Sequence, residues 1–263
     1  MSHYYGQDGS TQYRIIGSNG IERDTTLRDA KKLNLVPSVT TILQIPAKPA
    51  LYSWLQDQLL NAVLRCDWEP NLNDETKVKQ WKGMLTQEAQ KIGRDAAKRG
   101  SEMHDSLERY FISGEIDEKD KSFILPVVNK LTEHFGKIDW EAEKSFASYL
   151  GFGGKVDLSA KKESIILDFK TKKDKAFEKD LGYSEHCMQL AAYGTGLGLT
   201  RLDNLNNRQF TGRYFNLFIS TQTPGKVELK EWTMQEVVIG WEKFQHLLEY
   251  WKLEVGYDSS FEI

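Results

Sequence analysis

The stretch Gly151–Thr171, GFGGKVDLSAKKESIILDFKT, decides how the rest of the chain is read. It reads as a β-hairpin. A short strand covers Lys155–Leu158, a polar turn covers Ser159–Ser164, and a second strand rich in β-branched residues covers Ile165–Lys170. Side chains two apart on a strand share a face and lie about 6.6 Å apart. Asp168 and Lys170 therefore point one way, and Ile165, Leu167 and Phe169 the other. Paired through the turn, Asp157 lies across from the face of Asp168 and Lys170. Two carboxylates and a lysine at a strand end can hold a divalent cation and manage the proton of a water. The plainer alternative is a solvated hairpin with its charges turned outward. Gly151, Gly153 and Gly154 count against it, because glycines leading into a strand permit close approach by another backbone or a ligand.

Composition bounds what surrounds this hairpin. The chain has 263 residues, enough to bury a substantial core, and a formal net charge of −3, so any basic surface must be local. Its two cysteines, Cys66 and Cys187, stand far apart in no metal spacing. That excludes a disulfide framework and a cysteine-held zinc or iron–sulfur site, and it suits a reducing compartment. No apolar run reaches the roughly 18 residues of a membrane span. The opening MSHYYGQDGSTQYR has no apolar core of a signal peptide. No Walker A string, internal repeat or low-complexity tract is found.

Tyr13–Ile16 and Ile21–Thr26 suggest an N-terminal hairpin or arm. Ser38, after Pro37 and before an apolar stretch, reads as a helix N-cap. Leu51–Leu64 is helical by its spacing of Leu51, Trp54, Leu55, Leu59, Ala62 and Val63. Glu75 to about Gly114 is a long helical region with weak points at Gly93 or Gly100. Glu118–Phe135 is a helix kinked or restarted at Pro126. Strands follow at Glu141–Tyr149 and in the hairpin, with a loop or short helix at Phe177–Tyr183. Next come a helix over Ser184–Leu199 capped by Ser184, strands at Gly212–Ser220 and Val227–Trp232, and a final helix over Thr233–Val255. Thr233 and Glu236 fit a capping box there. The order predicts an α/β fold with a mixed central sheet flanked by helices and a helical N-terminal layer. One domain is expected over 1–263: an arm over 1–34, a helical layer over 35–139 and an α/β core over 140–263.

Further candidates lie outside the hairpin. His104 adjoins the apolar face of Met103, Leu107, Tyr110 and Phe111. A histidine there is more often a hydrogen-bonded boundary residue than a ligand, though imidazole suits a first-row metal beside carboxylates. Gln189 and Tyr193 are four apart, on one helix face. Lys91, Arg94, Lys98 and Arg99 precede His104, and Lys172, Lys173 and Lys175 follow Lys170. Each group is a solvated face or a set of phosphate contacts. Tyr52, Trp54, Trp81, Phe152 and Tyr183 could stack on unpaired bases, although such residues usually belong to a core.

Taken in order, His104, then Gly153-Gly154-x-x-Asp157, then Asp168-x-Lys170, then Gln189-x-x-x-Tyr193 resembles the RecB-like branch of the PD-(D/E)XK nuclease superfamily. That branch includes phage exonucleases and the mitochondrial genome maintenance exonuclease. Val36–Leu43 with Leu51 and Trp54, and Arg99-Gly100-Ser101 ahead of His104, are similar to strings of that group. The likeness spans roughly residues 35–255. It departs in two places: Val156 replaces the proline before Asp157, and the cluster-binding cysteines of some relatives are absent.

The resemblance implies a restriction-endonuclease-like core and a metal-dependent deoxyribonuclease. The expected activity is exonucleolytic, on single-stranded DNA or strand ends. A structure-specific or flap endonuclease and a catalytically inactive DNA-binding relative are the alternatives. The implied cofactor is one or two Mg²⁺ or Mn²⁺ ions, without an iron–sulfur cluster, held by His104, Asp157, Asp168 and the backbone carbonyl of Phe169. Lys170 would orient or deprotonate the attacking water. Neighbouring carboxylates favour its charged form, so positioning and charge stabilisation are the expected role. Gln189 and Tyr193 would line the site and contact the DNA backbone along with Arg94, Lys98, Arg99, Lys172 and Lys173. Glu143 is a further acidic candidate. The implied partners are DNA and replication or recombination proteins, with no membrane, in the cytoplasm (a host's, for a phage protein).

Overall fold

The computed structural model of the chain describes residues 3–203 and 207–262. It groups into two compact units, Met1–Ile45 with Met103–Ile263, and Pro46–Glu102.

The larger unit is built on a five-stranded sheet. Its strands are Glu141–Ser148 (β1), Phe152–Ala160 (β2), Ile165–Lys172 (β3), Arg213–Ser220 (β4) and Val227–Trp232 (β5), ordered β5-β4-β3-β2-β1. The main helices are Glu75–Ser113 (α1), Lys121–Phe135 (α2), Ser184–Gly196 (α3) and Met234–Val255 (α4). Only β3 and β4 run parallel; the other neighbours are antiparallel. A parallel step cannot be closed by a tight turn, and α3 supplies the crossover. The sheet is therefore mixed and flanked by helices, as the order of elements predicted.

Both faces are covered. Met103 and Leu107 of α1 join Ile124, Val127 and Leu131 of α2 against Leu158, Leu167, Phe169, Phe215 and Leu217. On the other face Leu190 and Ala191 of α3 and Val237, Trp241 and Phe244 of α4 pack on Phe152, Val156, Ile166 and Tyr214. Central strands covered on both sides read as continuous apolar runs. β3 begins with five buried residues, and β4 is buried from Tyr214 to Ser220.

Local sequence explains most boundaries, and a few differ from expectation. Arg14–Ile16 and Glu22–Asp24 form the N-terminal hairpin, and Ser38 caps Val39–Ile42 by accepting from the Thr41 amide at 3.0 Å. The central hairpin is longer than its β-branched stretch, since Phe152–Ala160 also pairs with β1. α1 runs unbroken through Gly93 and Gly100, and α2 runs through Pro126 without restarting. Tyr183, not Ser184, caps α3; the Ser184 hydroxyl instead accepts from Lys243 Nζ at 3.0 Å.

In the smaller unit, Pro49–Leu64 is helical as expected, but its spacing does not mark a core face. Ala62 alone is buried in it, packed with Leu85 and Ala89, while Leu51, Leu55, Leu59 and Val63 stay exposed. A unit this small has little interior to offer. Among the described residues no helix is long and apolar enough to cross a membrane.

The α4 capping box is complete. Thr233 Oγ1 accepts from the Glu236 amide at 3.3 Å, and Glu236 Oε2 accepts from the Thr233 amide at 2.8 Å. Thr233→Ala should lower the unfolding free energy by about 1 kcal/mol. The reading is a lower urea midpoint at unchanged slope. An unchanged midpoint would mean that the buried face of α4 holds the helix without its cap.

Candidate active site

The site begins at an irregularity shared by β1 and β2. Val156 and Leu158 would share a face in an even strand. Instead Val156 packs with α3 and α4, and Leu158 with α1 and α2. On β1 Ala142 and Phe146 divide between the same two cores. The pairing runs Ala142↔Leu158 and then Lys144↔Val156, so the rung that would join Glu143 and Asp157 is missing while the register is kept. Glu143 has φ of 55°, a left-handed conformation uncommon for a residue with a side chain. Here the two strands exchange faces.

The exchange gives Asp157 its place. The β2–β3 ladder pairs Ala160, Ser159 and Leu158 with Ile165, Ile166 and Leu167 and stops there. Past that point the Asp157 side chain substitutes for the backbone: its Oδ2 accepts from the Phe169 amide at 2.6 Å. Phe169 thus enters the site through its N–H. His104, from the final turns of α1, places Nδ1 3.6 Å from Asp157 Oδ2, ion-pair range but too long for a direct hydrogen bond. Its ring meets Phe169 edge-on with centroids 6.1 Å apart.

Asp168 lies deeper, 3% exposed in the middle of the sheet. The parallel register sets Asn216 of β4 directly opposite. Asn216 Nδ2 donates to Asp168 Oδ2 at 2.8 Å, and Trp232 Nε1 of β5 donates to Asn216 Oδ1 at 2.8 Å. From the other side Lys170 Nζ reaches Asp168 Oδ2 at 2.7 Å and donates to Gln189 Oε1 at 2.9 Å. Gln189 Nε2 in turn donates to the Tyr193 hydroxyl at 2.7 Å. One hydrogen-bonded chain therefore runs from Tyr193 through Gln189, Lys170, Asp168 and Asn216 to Trp232.

The two carboxylates differ electrostatically. Burial alone would raise Asp157, but His104, Lys170 and the Phe169 amide outweigh it and hold the group below the ordinary carboxylate range. Burial raises Asp168 above that range; Lys170 opposes the rise and Asp157 adds to it. Burial disfavours charge on His104, yet Asp157 and Asp168 prevail and raise its value. Burial, with Asp168 behind it, pushes the Tyr193 phenol well up. Titratable groups perturbed in opposite directions within one cluster mark a candidate functional site.

Gly153 and Gly154 make this packing possible. A Cβ on Gly153 would come within 2.9 Å of the Tyr5 side chain, and one on Gly154 within 2.8 Å of the Tyr193 ring. The close approach expected of these glycines is made by two tyrosines.

The expected residues are gathered unevenly. Asp157, Asp168, Lys170, Gln189, Tyr193 and His104 come together. Gln189 and Tyr193 are 7% and 4% exposed and spend their polar atoms on each other and on Lys170. Their place is behind the lysine, not on a surface that would meet a DNA backbone. Glu143 pairs with Lys155. Arg94, Lys98 and Arg99 belong to the smaller unit, where Arg94 donates to the Gln87 carbonyl at 2.7 Å. Lys172 and Lys173 follow the site on β3 and beyond it. Asn216 and Trp232 were not singled out from sequence. The available signal was one amide in the otherwise apolar run Tyr214–Ile219.

The donor chemistry suits a divalent cation: two carboxylates with an imidazole beside them. Yet among the described residues no three His, Cys, Asp or Glu side chains converge into a group that could hold an ion. The described side-chain hydrogen bonds and ion pairs of both aspartates fall on Oδ2, which leaves Oδ1 of each as the donor to offer.

No protein-family model matches the chain, and no curated protein matches it. Among solved structures it is similar to the crystal structure of SSO0001, at 15% identity and a TM-score of 0.30, covering 81% of this chain and 98% of that one. It is also similar to the crystal structure of a phage related exonuclease from Haemophilus somnus 129PT. There the identity is 13% and the TM-score 0.26, over 57% of this chain and 81% of that one. At such TM-scores neither likeness bears on function, and the site stands on its own residues.

Proposed function

We propose that the protein is a metal-dependent deoxyribonuclease that hydrolyses phosphodiester bonds in single-stranded DNA or at strand ends. One observation carries the reading: a buried Asp168–Lys170 pair, fixed from both sides, has a second carboxylate, Asp157, beside it. The motif order from His104 to Tyr193 adds to it.

Asp157 and Asp168 would hold Mg²⁺ or Mn²⁺, with His104 and the Phe169 carbonyl as the further donors that the resemblance implies. When bound, the ion supplies Lewis-acid polarisation of a phosphoryl oxygen. The protein's own groups do the positioning. An ammonium has three N–H donors. Lys170 spends one on Asp168 and one on Gln189, which leaves one for a water or a phosphoryl oxygen. Gln189 fixes the direction of that donor, and Tyr193 fixes Gln189. Asn216 and Trp232 fix the Asp168 carboxylate from behind. Packed this way, Lys170 serves to orient and to stabilise charge.

A catalytically inactive DNA-binding relative is the second reading, favoured by the lack of a three-ligand group among the described residues. End-labelled single-stranded and duplex DNA with Mg²⁺ or Mn²⁺ separates the two. The wild type should degrade the single strand, and EDTA should stop it. Lys170→Ala and Asp168→Asn should each slow cleavage by about a hundredfold or more. Binding without hydrolysis in both metals would establish the second reading, and a Lys170→Ala enzyme near wild-type rate would remove the lysine from the mechanism. Closed circular single-stranded DNA should survive; cut circles would make the enzyme an endonuclease.

Asn216→Ala strips Asp168 of a donor at a buried position. The loss should cost about 1–3 kcal/mol of stability. Cleavage should slow as well, because Oδ2 is then held by Lys170 alone. A variant as stable and as active as wild type would show that Asn216 supports neither.

A further inference from the structure

We propose that Tyr183 and Lys172 form a nucleotide subsite for an unpaired DNA strand, in which the phenol ring takes a base and the ammonium the adjoining phosphate. The inference rests on the reading of Asp168 and Lys170 as the hydrolytic centre and names how that centre selects its substrate.

Lys172 is the last residue of β3, two beyond Lys170 and four beyond Asp168, so its side chain leaves the strand on their face. Its Nζ stands 4.7 Å from the centroid of the Tyr183 ring. Tyr183 caps α3, the helix that carries Gln189 to Lys170. The pair therefore sits where the catalytic strand and the positioning helix leave the core.

The ring is propped and open at once. His186, 6% exposed, meets it with centroids 5.3 Å apart, and His186 rests on buried Phe218 at 5.7 Å. Tyr183 itself is 53% exposed. A single exposed aromatic is ordinary on a protein surface. An exposed ring braced by His186, with the Lys172 ammonium over it, can take a base once the ammonium swings to the adjoining phosphate. A ring already held loses little freedom when a base lands on it.

The charges around it favour a strand backbone. Lys173, Lys175 and Lys179 are exposed along the segment that joins Lys172 to Tyr183. Two acids of that segment have partners of their own: Asp174 binds the Ser220 and Thr223 hydroxyls, and Asp180 pairs with Lys230 at 2.8 Å. Burial holds the Lys172 amine below its ordinary value and Lys170 adds to the effect, while Glu185 opposes it. A ring alone would suit any flat ligand, and lysines alone any polyanion. Together they suit a chain of alternating bases and phosphates whose base faces are free, which a duplex does not present.

The test is fluorescence anisotropy in EDTA, which separates binding from hydrolysis. The probes are a short labelled single-stranded oligodeoxynucleotide and an abasic strand of equal charge. Wild type should bind the base-bearing strand more tightly. Tyr183→Leu should weaken that binding by about tenfold, within the range of aromatic stacking, and leave the abasic strand unaffected. Tyr183→Phe should bind as wild type does, and Lys172→Ala should weaken both strands. The proposal fails if wild type binds both strands equally, or if Tyr183→Leu changes neither affinity or both alike. Cleavage of the same oligonucleotide in Mg²⁺ is scored apart. Tyr183-dependent binding without cleavage would refute the hydrolytic reading alone, and cleavage without Tyr183-dependent binding would refute the subsite alone.

Discussion

A carboxylate in the middle of a sheet covered on both faces is the constraint from which the rest of the site follows. Asp168 is flanked along β3 by buried Leu167 and Phe169 and faces the parallel strand β4, with helices over both faces of the sheet. A charge so placed is tolerated only with partners. Asn216 supplies one across the ladder and Lys170 another along the strand. Each of those groups then needs a partner of its own, which draws in Trp232, Gln189 and Tyr193. Removing one link leaves its neighbour buried and short of a bond, so the chain behaves as a unit.

Asp157 answers a different constraint. Its carboxylate stands in for a backbone acceptor where the β2–β3 ladder ends, and it can do so because β1 and β2 trade faces at Glu143 and Asp157. A regular hairpin would have kept the two strands paired past that point. The irregularity turns a structural rung into a carboxylate of the candidate site, and the strained φ at Glu143 accompanies it. Strain of this kind costs about 1–3 kcal/mol and persists only where surrounding packing enforces it. Phe146, Val156, Ala142 and Leu158, divided between two cores, supply that packing.

Much of the fold was legible because its signals are local. Thr233 and Glu236 announce α4 by a reciprocal cap, Ser38 announces its short helix, and the apolar run of β4 announces a strand covered on both faces. The gathering of His104, Asp157, Asp168, Lys170, Gln189 and Tyr193 was legible as an order of motifs. What was not legible depends on pairing between distant segments. Asn216 acquires its meaning only when β4 lies in register beside β3, 48 residues away in sequence. The burial of Gln189 and Tyr193 depends on how α3 is seated, and the partners of Gly153 and Gly154 come from Tyr5 and from α3. The face exchange at Asp157 breaks the period-two rule on which the hairpin was read. The exposed Leu51, Leu55 and Leu59 show the converse, a helical period that signals a helix but not what the helix packs against.

The Trp232–Asn216–Asp168 relay bears on whether such a site could be transplanted. The hairpin Gly151–Thr171 looks self-contained, with Asp157, Asp168 and Lys170 in one contiguous segment. Grafted into another sheet it would arrive without the amide of β4 and without the indole of β5. Its central carboxylate would then be short of the donor that holds it from behind. The smallest portable unit is four neighbouring strands with the crossover helix among them, which is most of the sheet.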